Sequence, residues 1–264
     1  MLSRTACVSK NIQMDFVKGE VLYVAKPLNW TSFNLVSKLR WKLQRTLKMK
    51  KLKVGHAGTL DPLATGVMII CTGKSTKLIE EFQYQTKEYI ATLELGATTP
   101  SFDLELSVDG TFPTEHINRA LIDEIIPRFT GEIWQVPPAY SAVKVDGKRA
   151  YDYARDGQEV ELKPKLLVID DIEVLDFALP VLKIRVVCSK GTYIRALARD
   201  IGLALGSGAH LIGLERTRIG EVRLADCWQI DDLVLHVEAE ILKSQHENDD
   251  FAVVENNEIE TIKQ

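Results

Sequence analysis

Residues 55–73 read GHAGTLDPLATGVMIICTG, one histidine and one acid set among glycines and a proline ahead of an apolar run. The run from Val67 to Cys71 predicts a short buried strand. The polar residues in front of it are few. Pro62 biases Asp61 away from helical backbone angles and so fixes the direction of its carboxylate, while Gly55 and Gly58 permit tight turns and close backbone approach. The same Asp-Pro pair is also a common helix start, with Asp as cap and Pro at the first helical position, and taken alone it favours that reading. Spacing does not decide between a positioned carboxylate and a cap.

Upstream of this stretch, residues 38–53 carry Lys38, Arg40, Lys42, Arg45, Lys48, Lys50, Lys51 and Lys53 with no acid among them. That density would bind a polyanion, and a solvated helix face explains it equally well on charge alone. The net charge of -4 hides a split. From Asp231 onward ten acids face Lys243 and Lys263, which leaves 31 basic and 27 acidic residues, a net of +4, in the first 230.

Farther out, EVLYVAK (20–26) reads as a strand closed by Pro27, followed by a helix capped by Thr31 or Ser32 with the apolar stripe Leu35, Val36, Leu39 and Leu43. KEYIATLEL (87–95) alternates as a strand, 115–126 reads as a helix, and Asp146-Gly147 is a two-residue hairpin signal. Strands are expected over 166–177 and 181–189, and a helix after Gly191-Thr192 through Ile194, Leu197, Ala198, Ile201 and Leu205. Strands and helices mix without regular βαβ alternation. This predicts an α+β fold around a large mixed, mainly antiparallel sheet flanked by helices. The expected division is an N-terminal arm over 1–18, a catalytic domain over 19–232 with an insertion at about 134–162, and a short acidic segment over 233–264, partly disordered from about Gln245.

Composition limits the function. With 264 residues, 45% hydrophobic and 27% charged, the chain is of ordinary globular make-up. It has no apolar run long enough to span a membrane and no signal-like N-terminus, so a cytoplasmic protein is expected. Four scattered cysteines and five histidines at no ligand-like spacing indicate neither a disulfide framework nor a zinc site. Gly73-Lys74-Ser75 is not a phosphate loop, because Met68 stands where its first glycine belongs, and Gly202, Gly206, Gly208 and Gly213 miss the dinucleotide pattern. No cofactor is expected.

GHAGTLDPLATG resembles the signature of the TruB-type RNA pseudouridine synthases, and other blocks agree with it in order and spacing. Lys87-Glu88-Tyr89 with its strand and Leu95-Gly96 is similar to the family's second motif. QVPPAYSAVKVDGKRAYDYARDGQEV (135–160) resembles its RNA-gripping insertion, and CSKGTYIR (188–195) and the residues from Gly208-Ala209-His210 match later blocks. The resemblance covers about 20–230. It implies an enzyme that detaches uracil from its ribose, rotates it and rejoins it through carbon, at uridine 55 in the T loop of tRNA.

On that resemblance Asp61 is the essential carboxylate, attacking sugar or base, and an ionised, positioned carboxylate is a competent nucleophile. Arg195 would pair with it and keep it charged. Tyr89 would stack on the target base, and Tyr193 and Leu214 would line the uracil pocket. His56 would fill the space left by the flipped base. Lys50, Lys51 and Lys53 would meet phosphates, with Lys190 and Lys144 as further substrate contacts and Lys144, Lys148 and Arg149 closing over the stem. The product is an isomer of the substrate, so no metal, nucleotide or redox partner is required.

The chain departs from the family in one loop, where Thr98-Thr99-Pro100-Ser101-Phe102-Asp103 stands in place of a Thr-Asp-Thr-x-Asp stretch. A complete C-terminal RNA-binding domain is not expected after about Asp232, so a monomeric stand-alone enzyme is favoured over a guide-RNA particle of the dyskerin sort. Two other classes remain: a tRNA-elbow binding or folding factor without catalysis, and a carboxylate-dependent nucleoside glycosidase. The second usually needs another acid beside Asp61, and none is evident.

Overall fold

In chain order, the computed structural model, which describes residues 14–158 and 160–243, runs β1 (Val21–Lys26), α1 (Ser32–Thr46), β2 (Val54–His56), β3 (Ala64–Thr72), α2 (Ile79–Tyr84) and β4 (Lys87–Leu95). It continues through β5 (Ala97–Thr98), β6 (Gly110–Thr111), α3 (Arg119–Ile125), β7 (Gly131–Gln135), β8 (Lys144–Val145), β9 (Lys148–Arg149) and α4 (Ala150–Arg155). The remaining elements are β10 (Lys165–Ala178), β11 (Val181–Cys188), α5 (Ile194–Ala204), β12 (Ala209–Ile219), β13 (Val222–Arg223), β14 (Trp228–Gln229) and a helix over 230–243. The α+β class read from the sequence is the class that forms. The chain divides into two units, one of residues up to 62, 67–83 and from 222, the other of 63–66 and 84–221.

In the first unit β1 lies between β3 and β14, parallel to β14, and β2 pairs antiparallel with β3. Thr31, not Ser32, caps α1: its hydroxyl accepts from the Asn34 amide at 3.0 Å and its own amide donates to the Asn34 side chain at 3.1 Å. Such a cap contributes about 1 kcal/mol. The stripe Leu35, Val36, Leu39 and Leu43 is buried as the periodicity requires, at about 1.5–3 kcal/mol per side chain. The helix 230–243 buries Ile230, Leu233, Val237 and Ile241. The polar tail from Gln245 and the arm before residue 14 lie outside the described residues, whereas Phe16 is buried in the first unit.

The second unit is built on a sheet in the order β12-β4-β11-β10-β7, antiparallel throughout, with the start of β3 added parallel to β12. It is thus mixed but mainly antiparallel. β4 obeys its alternation: Lys87, Tyr89, Ala91, Leu93 and Leu95 are buried, and Glu88, Ile90, Thr92 and Glu94 take the other face. α5 packs its apolar side on β12 and β4. The helix expected over 115–126 begins later, at Arg119, because Asn118 caps it through the Leu121 amide at 3.0 Å. Asp146 and Gly147 both take positive φ, 50° and 85°, as a two-residue hairpin turn between β8 and β9 demands.

Gly66 ends the signature stretch at φ +111°, opposite Arg216, where an added Cβ would lie 2.2 Å from the Arg216 carbonyl oxygen. Backbone cannot give way as a side-chain tip can. Gly66→Ala is therefore expected to cost about 2–4 kcal/mol in denaturant unfolding, and a loss below 0.5 kcal/mol, on the order of an ordinary surface change, would contradict the close approach.

Candidate active site

Asp61 sits in the loop between β2 and β3, half-buried, and no helix follows it: residues 62–63 form a turn that runs straight into β3. The helix-cap reading of Asp61-Pro62 is thereby overturned. The residues on either side are fastened. The Ser32 hydroxyl donates to the Leu60 carbonyl and accepts from the Leu60 amide, both at 2.9 Å. The Pro62 carbonyl accepts from the Asn29 amide at 2.9 Å and from Lys26 Nζ at 3.4 Å. Lys26 is itself fully buried and also donates to the carbonyls of Pro27 at 2.9 Å and Trp30 at 2.6 Å. Gly58, at φ +102°, makes the turn that an L-residue would strain. Asp61 is thus clamped through its neighbours' backbone. His56 ends β2 in the same unit, and the Ala57 amide after it bonds to the Ile69 carbonyl at 2.9 Å.

The basic run divides. Lys38 pairs with Asp231 and Lys42 with Glu238 at 2.6 Å, both acids on the helix 230–243, and Arg40 donates to the Val54 carbonyl at 2.7 Å. Lys48, Lys50, Lys51 and Lys53 remain exposed in the loop beyond α1.

In the second unit the register of β4, β11 and β12 gathers another group. Tyr89 stands opposite Val186 on one side and Arg216 on the other, and Leu214 stands opposite Ala91. Lys87 shares the buried face of β4 with Tyr89. Burial, with Arg216 nearby, pushes its ammonium down to about 8, a range in which it can carry or release a proton at physiological pH. On the opposite face Glu88 forms ion pairs with Arg185 at 3.3 Å and Arg218 at 3.6 Å. Burial alone would raise its carboxyl, but the hydrogen bond from Thr217 and the two arginines outweigh that and leave it below the ordinary value.

Arg195, in the first turn of α5, is only 5% exposed. It donates to the Ser101 carbonyl at 3.1 Å and the Tyr140 carbonyl at 2.9 Å, and its Nε lies 3.6 Å from the Asp103 carboxylate. The loop that departs from the family thus still supplies a buried acid. Sequence reasoning left Asp103 without a role, although an acid surviving in that loop was a signal. Gln135, Ser32 and Lys26 were also missed, because amides, hydroxyls and lysines carry no local mark of a distant partner.

Tyr193 caps α5 at its N-terminus. Lys190 is exposed and lies 3.9 Å above the Tyr84 ring. Lys144 is exposed on β8, whereas Lys148 is ion-paired with Asp156 at 2.5 Å. Asp61, His56, Lys50, Lys51 and Lys53 therefore belong to the first unit, and Tyr89, Tyr193, Arg195, Leu214, Lys190 and Lys144 to the second. Among the described residues no cluster of His, Cys, Asp or Glu could hold a metal ion, and no helix is long and apolar enough to cross a membrane.

An aspartate pinned in a glycine-rich loop of the first unit and an α+β chain built on a mainly antiparallel sheet fit the class of pseudouridine synthases. The family model for the TruB family pseudouridylate synthase N-terminal domain matches residues 44–194, and that for the tRNA pseudouridylate synthase B C-terminal domain matches 195–249. The chain belongs to the TruB family of pseudouridylate synthases. It is 67% identical over 234 residues to tRNA pseudouridine synthase B of Parabacteroides distasonis, covering 89% of this chain and all of that one. It is 70% identical over 218 residues to the protein of the same name from Phocaeicola vulgatus, covering 83% and 93%. Among solved structures it resembles a chain of a Cbf5-Nop10-Gar1 complex, at 30% identity and a TM-score of 0.61, over 83% of this chain and 54% of that one. The chain spans about half the length of that solved chain.

Proposed function

We propose that this chain isomerises uridine 55 in the T loop of tRNA to pseudouridine, with Asp61 as the catalytic carboxylate. The observation that carries the reading is the clamped, non-helical Asp61 within the family signature. The C1′–N1 bond breaks, the uracil turns, a C5–C1′ bond forms, and the C5 proton leaves to solvent while N1 gains one, so atoms balance without a cofactor. Arg195 supplies positive charge to the reaction, Tyr89 stacks on the base, and Tyr193 and Leu214 line the uracil pocket. His56 occupies the space the flipped base vacates. A monomer working in the cytoplasm is the form this reading implies.

The test is release of tritium from uracil C5 in a labelled T-arm stem-loop, with purified protein and no added cofactor. Release with recovery of pseudouridine supports the isomerase; tight binding without release would make the chain a binding or folding factor, and free uracil would make it a glycosidase.

Lys50, Lys51 and Lys53 supply phosphate contacts, with Lys144 and Lys190 as further contacts to the stem-loop. Replacing the first three by Gln is expected to lower the slope of log affinity against log salt by about 2–3, with the single-turnover rate at saturating RNA unchanged. An unchanged slope would return these residues to a merely solvated loop.

A further inference from the structure

Gln135, the last residue of β7, is a 1% exposed polar side chain whose amide oxygen and nitrogen are both hydrogen-bonded. Its Oε1 accepts from the Tyr193 amide at 2.9 Å, and its Nε2 donates to the Tyr193 carbonyl at 3.2 Å. A carboxamide carries one acceptor and donors like a peptide unit, so the pair imitates the two bonds exchanged by facing residues of antiparallel strands. The place matters because Tyr193 caps α5. The cap amide lies outside the intrahelical ladder, and the Tyr193 carbonyl already accepts the first helical bond from the Leu197 amide at 3.0 Å. Gln135 satisfies that amide and takes the remaining capacity of the carbonyl, fixing the angle at which the helix begins.

Two further contacts join the same stretch to the same helix. The Tyr140 carbonyl accepts from Arg195 at 2.9 Å, and the Val136 carbonyl accepts from Arg199 at 3.2 Å. Residues 135–140, the root of the insertion, are therefore fastened to α5 at positions 193, 195 and 199.

We infer that Gln135 is a positioning residue, which sets Tyr193 and, through the first turn of α5, Arg195 for reaction, and so ties the placement of the RNA-gripping insertion to the chemistry. This rests on the roles of Tyr193 and Arg195 proposed above. A displacement of about 1 Å at such groups can cost on the order of a hundredfold in rate.

Gln135→Glu and Gln135→Met separate positioning from folding. At pH 8 the glutamate accepts from the Tyr193 amide but sets a second acceptor against the Tyr193 carbonyl. Burial favours its neutral form, which regains the donor as pH falls. The rate ratio of Gln135→Glu to the original chain, by single-turnover tritium release at saturating stem-loop, is expected to be about 0.01–0.1 at pH 8 and to rise at least about fivefold by pH 5.5. Gln135→Met, lacking both bonds, is expected to stay low at every pH, with RNA affinity within about threefold and the folded fraction, followed by thermal denaturation, above nine-tenths.

A ratio that stays flat with pH, or losses that merely follow the folded fraction, would overturn the inference while leaving the isomerase reading intact. An original chain that releases no tritium would remove that reading, and this inference with it.

Discussion

Asp61→Asn is expected to abolish tritium release, lowering the single-turnover rate by about 10⁴-fold or more, since the substitution keeps size and shape but removes the charge and nucleophilicity of the carboxylate. The backbone of the loop should keep its place. The loop is fixed by Ser32 on the Leu60 backbone and by Asn29 and Lys26 on the Pro62 carbonyl, none of which involves the Asp61 side chain. Affinity for the stem-loop should stay within about threefold, because the phosphate contacts lie elsewhere. A variant that turns over at near the original rate would remove Asp61 from the chemistry, and with it the assignment.

Arg195 gives the second large effect, in both stability and rate. Its guanidinium reaches two carbonyls and a carboxylate in three directions, a geometry that a single ammonium cannot reproduce. Arg195→Lys is expected to lower turnover by about 10²–10³-fold despite its retained charge. Arg195→Met leaves Asp103 buried without this partner and should cost about 3–5 kcal/mol in denaturant unfolding.

Adding Asp103→Asn to Arg195→Met removes the stranded charge. The double variant is expected to recover about 2 kcal/mol or more of that stability while its turnover stays at the level of Arg195→Met. Recovery of rate along with stability would mean that the arginine serves the fold alone. Failure to recover either would mean that the backbone contacts to Ser101 and Tyr140, rather than the ion pair, dominate.

The basic stretch shows how tertiary structure edits a sequence signal. All eight cations of 38–53 are alike in the linear pattern, yet α1 presents Lys38 and Lys42 to acids of the helix 230–243 and directs Arg40 to a carbonyl of β2. Only the cations beyond α1's buried and paired faces remain exposed for a polyanion, including the three chosen as phosphate contacts. The net charge split was legible; which side of it each lysine joins was not.

The sequence alone determined whatever repeats on the scale of a turn or a pleat. The alternation of 87–95 placed Lys87 and Tyr89 on one buried face, the 3.6-residue stripe oriented α1, and Asp146-Gly147 specified the β8–β9 hairpin. Family likeness added Asp61, Tyr89 and Arg195 as a set. Whether Asp61-Pro62 begins a helix was decided only by what surrounds it, since the backbone after Pro62 is taken into β3 instead. The same holds for Asp103 and Arg195, and for Gln135 and Tyr193. The latter two residues are 58 positions apart in the chain. A buried polar group must find a partner, but no local periodicity encodes which distant group it will meet; strand register and helix placement make that choice.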